Sequence, residues 1–169
     1  MGSAAVDVSA AEPRHFHVFG AAGLGLGSLE ATHLALGAGY SVTRHLALGA
    51  DLSYSYLPLQ RQARGGGNRA YWGLATLTAT PLPSARVSPY LMLGYGVGSF
   101  VSSKRGDSGS TSALGAGIQV RLNPRVCLFV ESRFAMMGGI TAADGLHMEL
   151  PVRLGLRFTP GAARTRREP

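Results

Sequence analysis

Apolar and polar residues alternate with a period of two along nearly the whole chain, the spacing of strands with two unlike faces. The last run shows it most cleanly. Leu146, Met148, Leu150, Val152, Leu154, Leu156 and Phe158 share one parity, and His147, Glu149, Pro151, Arg153, Gly155 and Arg157 share the other. The run before it sets Val126, Leu128, Val130, Phe134 and Met136 against Arg125, Glu131 and Arg133. Further upstream, Leu114, Ala116, Ile118, Val120 and Leu122 oppose Gly115, Gly117, Gln119 and Arg121, while Leu46, Leu48, Leu52, Tyr54 and Tyr56 oppose Gly49, Asp51, Ser53 and Ser55. The pattern predicts eight strands, over His15–Ser28, His33–Ser41, His45–Tyr56, Arg69–Thr80, Val87–Val101, Thr111–Leu122, Arg125–Met136 and Leu146–Thr159. The fourth is mixed, because Trp72 and Leu74 share one parity and Leu77 takes the other. A 3.6-residue period is almost absent, so the expected class is all-β.

The connections alternate in length. Those after the second, fourth and sixth strands are tight: Val42–Arg44, Pro81–Arg86 and Asn123-Pro124. Those after the third, fifth and seventh are longer and rich in Gly, Ser and Arg, running over Gln60–Gly67, Ser102–Gly109 and Gly138–Gly145; such residues mark turns and loops. Each predicted strand is near or above the roughly 9–11 residues that a tilted strand needs to cross a bilayer. Together these features predict an eight-stranded antiparallel up-and-down transmembrane β-barrel, with short turns on one rim and long loops on the other. The expected organisation is a flexible N-terminal segment over 1–14, the barrel over 15–159, and a basic tail over 160–169 carrying Arg164, Arg166 and Arg167.

Alternation alone does not say which face meets a core and which meets lipid, since a soluble lipocalin-like barrel has the same period. The polar face decides. On a soluble barrel it would carry Lys, Glu and Thr; here it carries Gly, Ala and Ser with a few Arg and acidic residues, and Lys104 is the sole lysine. Small residues suit a crowded lumen. Repeats such as GAAGLGLG (20–27) and LGYGVG (93–98) are therefore expected to open space inside a narrow barrel for arginines and carboxylates, leaving the intervening leucines to lipid. Turning an arginine to lipid near the midplane costs about 2–4 kcal/mol. Asp51, Arg121, Glu131, Arg133, Glu149, Arg153 and Arg157 are accordingly expected to form a lumenal ion network. Closure of the last hairpin is expected to set Arg133 near Glu149, with Glu131 diagonal to Arg153.

Aromatic residues collect toward the strand ends: Phe16, Tyr40 and Phe158 toward the short-turn rim, Tyr54, Tyr56, Tyr71, Trp72 and Phe134 toward the long-loop rim. Two such girdles are expected of an outer-membrane barrel. Tyr90 and Phe100, also near strand ends, face inward by parity.

The net charge of +7 points to anionic partners, and Arg61, Arg64, Arg69, Lys104 and Arg105 fall in or beside the long loops. No basic helix or basic–aromatic sheet face of a nucleic-acid binder is present. Cys127 is alone and the five histidines are scattered, so no metal site or cofactor is expected. The glycine runs lack GxGxxG spacing. The first fourteen residues carry no legible signal peptide. No Ser–His grouping is placed to meet across adjacent strands at the outer rim, so no enzyme is expected, and an eight-stranded lumen filled by side chains should not conduct.

With its strand count, loop asymmetry, girdles, glycine-alternating strands and closing strand HMELPVRLGLRF, the chain resembles the small eight-stranded outer-membrane barrels of the OmpA/OmpX type. The resemblance covers roughly residues 15–159. It implies a location in the bacterial outer membrane, with termini and tight turns toward the periplasm and long loops outside. The expected role is structural or surface-interacting, as a monomer, with the basic loop residues Arg61, Arg64, Arg69, Lys104 and Arg105 engaging lipopolysaccharide phosphates or external anionic partners. Two alternatives stay open: a soluble lipocalin-like barrel holding an apolar ligand behind Leu46, Leu48, Leu154 and Leu156, and a lipid A-modifying outer-membrane enzyme with a Ser, a His and an acid converging on the lipid face.

Overall fold

The computed structural model describes residues 15–26, 31–57, 68–101, 106–139 and 146–160. Eight strands follow one another: β1 Phe16–Leu26, β2 Thr32–Ser41, β3 Leu46–Leu57, β4 Asn68–Ala79, β5 Val87–Val101, β6 Gly106–Asn123, β7 Val126–Gly139 and β8 Leu146–Phe158. Each pairs antiparallel with its neighbour in sequence, and β1 pairs with β8 to close the barrel. Closure leaves no unpaired sheet edge, which is what allows strands to cross lipid.

Side-chain chemistry holds the tight turns. Thr43 Oγ1 accepts the backbone N–H groups of His45 at 3.1 Å and Leu46 at 3.0 Å. Asn123 Oδ1 does the same for Arg125 at 2.8 Å and Val126 at 2.9 Å. In the β4–β5 turn, the Ser88 hydroxyl donates to the carbonyl of Leu82 at 2.5 Å. A short side-chain oxygen that replaces a missing ladder partner is the reason Ser, Thr and Asn recur at turns.

The described strands extend past two sequence-based boundaries. Gly106–Gly109, expected in a loop, belongs to β6, with Val101 opposite Gly106. Gly138 and Gly139 belong to β7. Gly and Ser read as turn residues, but above the apolar band a hairpin needs no apolar face to keep its ladder. There β6 turns Ser108 and Ser110 outward in place of leucines.

The alternation resolves into inside and outside. Leu46, Leu48, Leu154 and Leu156 all point outward and are exposed, as are Leu36, Leu52, Leu91, Leu93, Leu114 and Ile118. The buried side chains facing the lumen include Asp51, Glu131, Arg133, Glu149 and Arg153. An apolar ligand cavity behind the leucines is thereby excluded: the leucines form the outer wall and ions occupy the interior. The mixed fourth strand departs from polar-inside along most of its described length. Ala70, Trp72 and Leu74 turn inward and pack with Ala113 and Ala135, with Phe100 against them, while Leu77 faces out. Trp72, expected in the outer girdle, is only 4% exposed. Its parity with Leu74 placed it inside, and the strand's equal hydropathy on both faces hid this.

The glycines do not chiefly serve the ions. Tyr90 lies across the ladder from Gly117, and a Cβ on Gly117 would fall 2.6 Å from the Tyr90 Cζ. Phe19 covers Gly37 and Phe129 covers Gly155 in the same way. Each of these three rings lies over the glycine of the neighbouring strand, the pairing by which aromatics shield the backbone that glycine leaves bare.

Candidate functional site

The centre of the lumen is a four-residue ion cluster built from β3, β7 and β8. Arg133 Nη2 donates to Asp51 Oδ2 at 3.0 Å, and its Nε donates to Glu131 Oε1 at 3.0 Å. Arg153 Nη2 reaches the same Glu131 oxygen at 2.6 Å, and its Nη1 reaches Asp51 Oδ2 at 3.3 Å. Two arginines thus bridge two carboxylates, and the quartet is formally neutral. Tyr90 from β5 donates its hydroxyl to Glu131 Oε2 at 2.9 Å, and Ser53 donates to Asp51. Ions taken from water need partners of this quality, because the desolvation penalty is several kcal/mol per ion. The quartet ties strands on opposite sides of the lumen and fills it.

The other residues expected in the network are placed differently. Glu131 lies directly opposite Arg153, not diagonal to it, and Ala135, not Arg133, stands opposite Glu149. The β7–β8 register is offset by two residues from that expected, because nothing in the sequence fixes the register across the 140–145 connection. Glu149 accepts from His33 Nε2 at 2.7 Å and from the Ser55 hydroxyl at 3.0 Å. Arg157 stays in the lumen nearer the short-turn rim, donating to Gln119 Oε1 at 2.8 Å. Its guanidinium carbon is 5.7 Å from the Tyr90 ring centroid and 5.8 Å from that of Phe129. Arg121 is no part of the network. It is exposed and donates to the Pro83 carbonyl at 2.5 Å, bracing the β4–β5 turn. Its shift follows from the irregular register between Arg121 and Asn123 at the end of β6.

Contrary to the expectation that no Ser–His pair meets across adjacent strands, Ser55 and His33 do so near the long-loop end of β2 and β3, and Glu149 joins them. Ser55 and His33 stand opposite each other on β3 and β2, with 2.5 Å between Oγ and Nε2. The register Thr32↔Tyr56 through Ser41↔Ala47, derivable from the tight turn, would have revealed the pair. Glu149 arrives from across the barrel. The hydroxyl and the carboxylate meet the same ring nitrogen, and among the described residues Nδ1 has no partner. A relay needs the acid on one nitrogen and the nucleophile on the other, so this arrangement is not one. It also lies buried in the lumen, away from the lipid face.

On the outer surface, Phe16, Tyr40 and Phe158 mark the short-turn rim, and Tyr54, Tyr56 and Phe134 face outward toward the other. Tyr54 and Tyr71 pair across β3 and β4 with ring centroids 5.1 Å apart. Arg69 is exposed on β4, opposite Tyr56. Arg61, Arg64, Lys104 and Arg105, expected to form the anionic-partner rim with it, lie outside the described residues, as do the segments 1–14 and 161–169. Among the described residues no group of three His, Cys, Asp or Glu side chains converges as a metal site would.

No protein-family model matches the chain, and no curated protein matches it in sequence. Solved structures match in fold. Neisserial surface protein A superposes with a TM-score of 0.68 at 15% identity, over 86% of this chain and 96% of that one. The Yersinia pestis attachment invasion protein Ail, in complex with the heparin analogue sucrose octasulfate, gives 0.57 at 16%, over 86% and 97%. The outer-membrane enzyme PagL gives 0.57 at 16%, over 82% and 97%. At such identities the likeness is one of fold. With the outward apolar band, it establishes an eight-stranded antiparallel transmembrane β-barrel.

Proposed function

We propose that this chain is a monomeric, non-conducting barrel of the bacterial outer membrane, a rigid anchor whose outer rim engages lipopolysaccharide phosphates or other anionic surface partners. The side-chain-filled lumen carries this reading. The quartet of Asp51, Glu131, Arg133 and Arg153 bridges β3 to β7 and β8 at the barrel's centre, and rings of Phe19, Tyr90 and Phe129 occupy the level nearer the short turns. The basic composition of the loops supports the anionic partner, since Arg61, Arg64, Lys104 and Arg105 cluster within two of them. Arginine forks suit phosphate and sulfate oxygens. A structural neighbour, Ail, has been solved with a sulfated heparin analogue.

Planar-bilayer recording tests the closed lumen. The expected result is no steady conductance above the bare bilayer; a stable open level would overturn the reading. Titration with lipopolysaccharide at rising salt tests the rim. Binding should weaken with salt and fall when Arg61, Arg64, Lys104 and Arg105 are changed together to Ala.

A further inference from the structure

The outer wall is not uniformly convex. A depression of about 780 Å³ lies on the lipid face across β2 to β5, below the long-loop rim. That is within the size range of ligand sites, roughly 300–1,000 Å³. Its floor is Gly73, whose ladder neighbours are Leu52 and Val97. Leu36, Leu52 and Val97 wall the apolar end, and the Tyr54–Tyr71 pair stands at the upper edge. Hydroxyls of Ser99 and Ser108 line its side toward β6. Outward positions along β4 run Leu77, Ala75, Gly73, Tyr71, Arg69, so Arg69 stands about 7 Å beyond Tyr71. Among the described residues Arg69 has no carboxylate partner.

We infer that this depression seats one acyl chain of an anionic outer-leaflet lipid, with Arg69 on its headgroup. The inference extends the reading of an anionic partner to a site on the barrel wall and rests on that reading. Closure has already used the sheet's backbone groups, so a peptide has no strand edge to add to. The lining is apolar over most of its length and ends in tyrosines and hydroxyls, with the Arg69 guanidinium beyond them on the same face of β4. A ligand that is apolar for most of its length and anionic at one end matches that sequence of surfaces. Amphipathic tyrosines at such a level mark the headgroup boundary, and a basic side chain there attracts anionic lipid.

The chain's single tryptophan, Trp72, is the neighbour of Gly73; its ring lies on the lumen side of the wall directly behind the depression, so short-range quenching of its fluorescence through one sheet thickness reports an occupant. The full chain is placed in phosphatidylcholine vesicles containing a minor fraction of either brominated-chain phosphatidylglycerol or brominated-chain phosphatidylcholine. The anionic lipid should quench Trp72 with a relative association constant about fivefold higher than the neutral one. Arg69→Ala, and separately Arg69→Gln, should bring the ratio close to one. Gly73→Leu should fill the floor and reduce quenching by both lipids. It should fold, because a Cβ there meets only the Leu52 Cδ2, at 3.3 Å; migration of unboiled against boiled samples on a gel checks this. Equal quenching by the two lipids in the wild type overturns the inference. So does a preference that survives Arg69→Ala and Gly73→Leu yet disappears when Arg61, Arg64, Lys104 and Arg105 become Ala, an outcome that leaves the loop reading standing. A dimer that Gly73→Leu dissociates would mean that a second barrel, not a lipid, fills the depression, and would overturn it as well.

Discussion

Two neighbouring regions of the lumen are filled by opposite chemistry. At the level of Asp51 the space belongs to ions: two carboxylates and two guanidinium groups share their contacts at 2.6–3.3 Å. Toward the long loops, the side formed by β4, β6 and β7 is apolar. Trp72 packs there with Ala70, Leu74, Ala113 and Ala135, and its ring lies 5.5 Å from that of His33. The difference concerns what fixes a strand's orientation. A charged residue facing lipid costs about 2–4 kcal/mol, so β3, β7 and β8 can present only one face inward. On β4 an apolar residue is nearly as comfortable on either side, and its orientation follows from its neighbours' register.

The ionic level should be the more sensitive to loss of one member. Arg153→Met leaves Arg133 as the one cation of the quartet to face both Asp51 and Glu131, and breaking a buried pair in this way costs about 3–5 kcal/mol. Reversible urea unfolding in lipid or detergent should show that loss, whereas Arg121→Met, at an exposed position outside the quartet, should stay within about 0.5 kcal/mol. If the two substitutions cost the same, the ionic level does not stabilise the barrel. Trp72→Ala sharpens the contrast from the apolar side. A buried indole replaced by a methyl group should cost about 3 kcal/mol, while a tryptophan lying in the lipid interface would lose far less. Near-neutrality in the same unfolding measurement would return Trp72 to the outer girdle.

Most of the fold was legible because the barrel's constraints are period-two constraints. Strand number, closure and the outward leucines all follow from alternation and connection length. So do the inward parity of Asp51, Glu131, Arg133, Glu149 and Arg153 and the outward rings of Phe16, Tyr40, Tyr54, Tyr56, Phe134 and Phe158. Parity fixes a face but not a partner. Which acid meets which arginine depends on register, and β7–β8 is joined by a connection whose length leaves register open. Hence parity alone pairs Glu149 with Arg133, while its actual neighbours His33 and Ser55 converge on it from two other strands. Arg121 shares the lumenal parity but lies at a register irregularity, where parity ceases to hold. The turn-like composition of Gly106–Gly109 hid a hairpin extension, because composition reports what lipid requires and these residues pair above it.

The glycines permit the finest form of the comparison, since the same residue type occurs on both faces. Gly117 faces the lumen beneath Tyr90; an added Cβ would sit 2.6 Å from the ring and 2.6 Å from the Val130 carbonyl oxygen, and the carbonyl is backbone that cannot swing aside. Tyr90 in turn holds Glu131 at 2.9 Å, so moving the ring disturbs the quartet. Gly73 faces lipid, where an added Cβ meets only the end of a leucine. Gly117→Ala should therefore cost about 1–3 kcal/mol through overpacking, and Gly73→Ala should change stability by less than about 0.5 kcal/mol. Parallel unfolding curves decide between two accounts of the repeated glycines. If both substitutions are neutral, the glycines reflect only tolerance of small residues in a pleated wall. If Gly117→Ala alone is costly, and Gly117→Ala with Tyr90→Leu recovers part of the loss, the inward glycines are there for the rings that cover them.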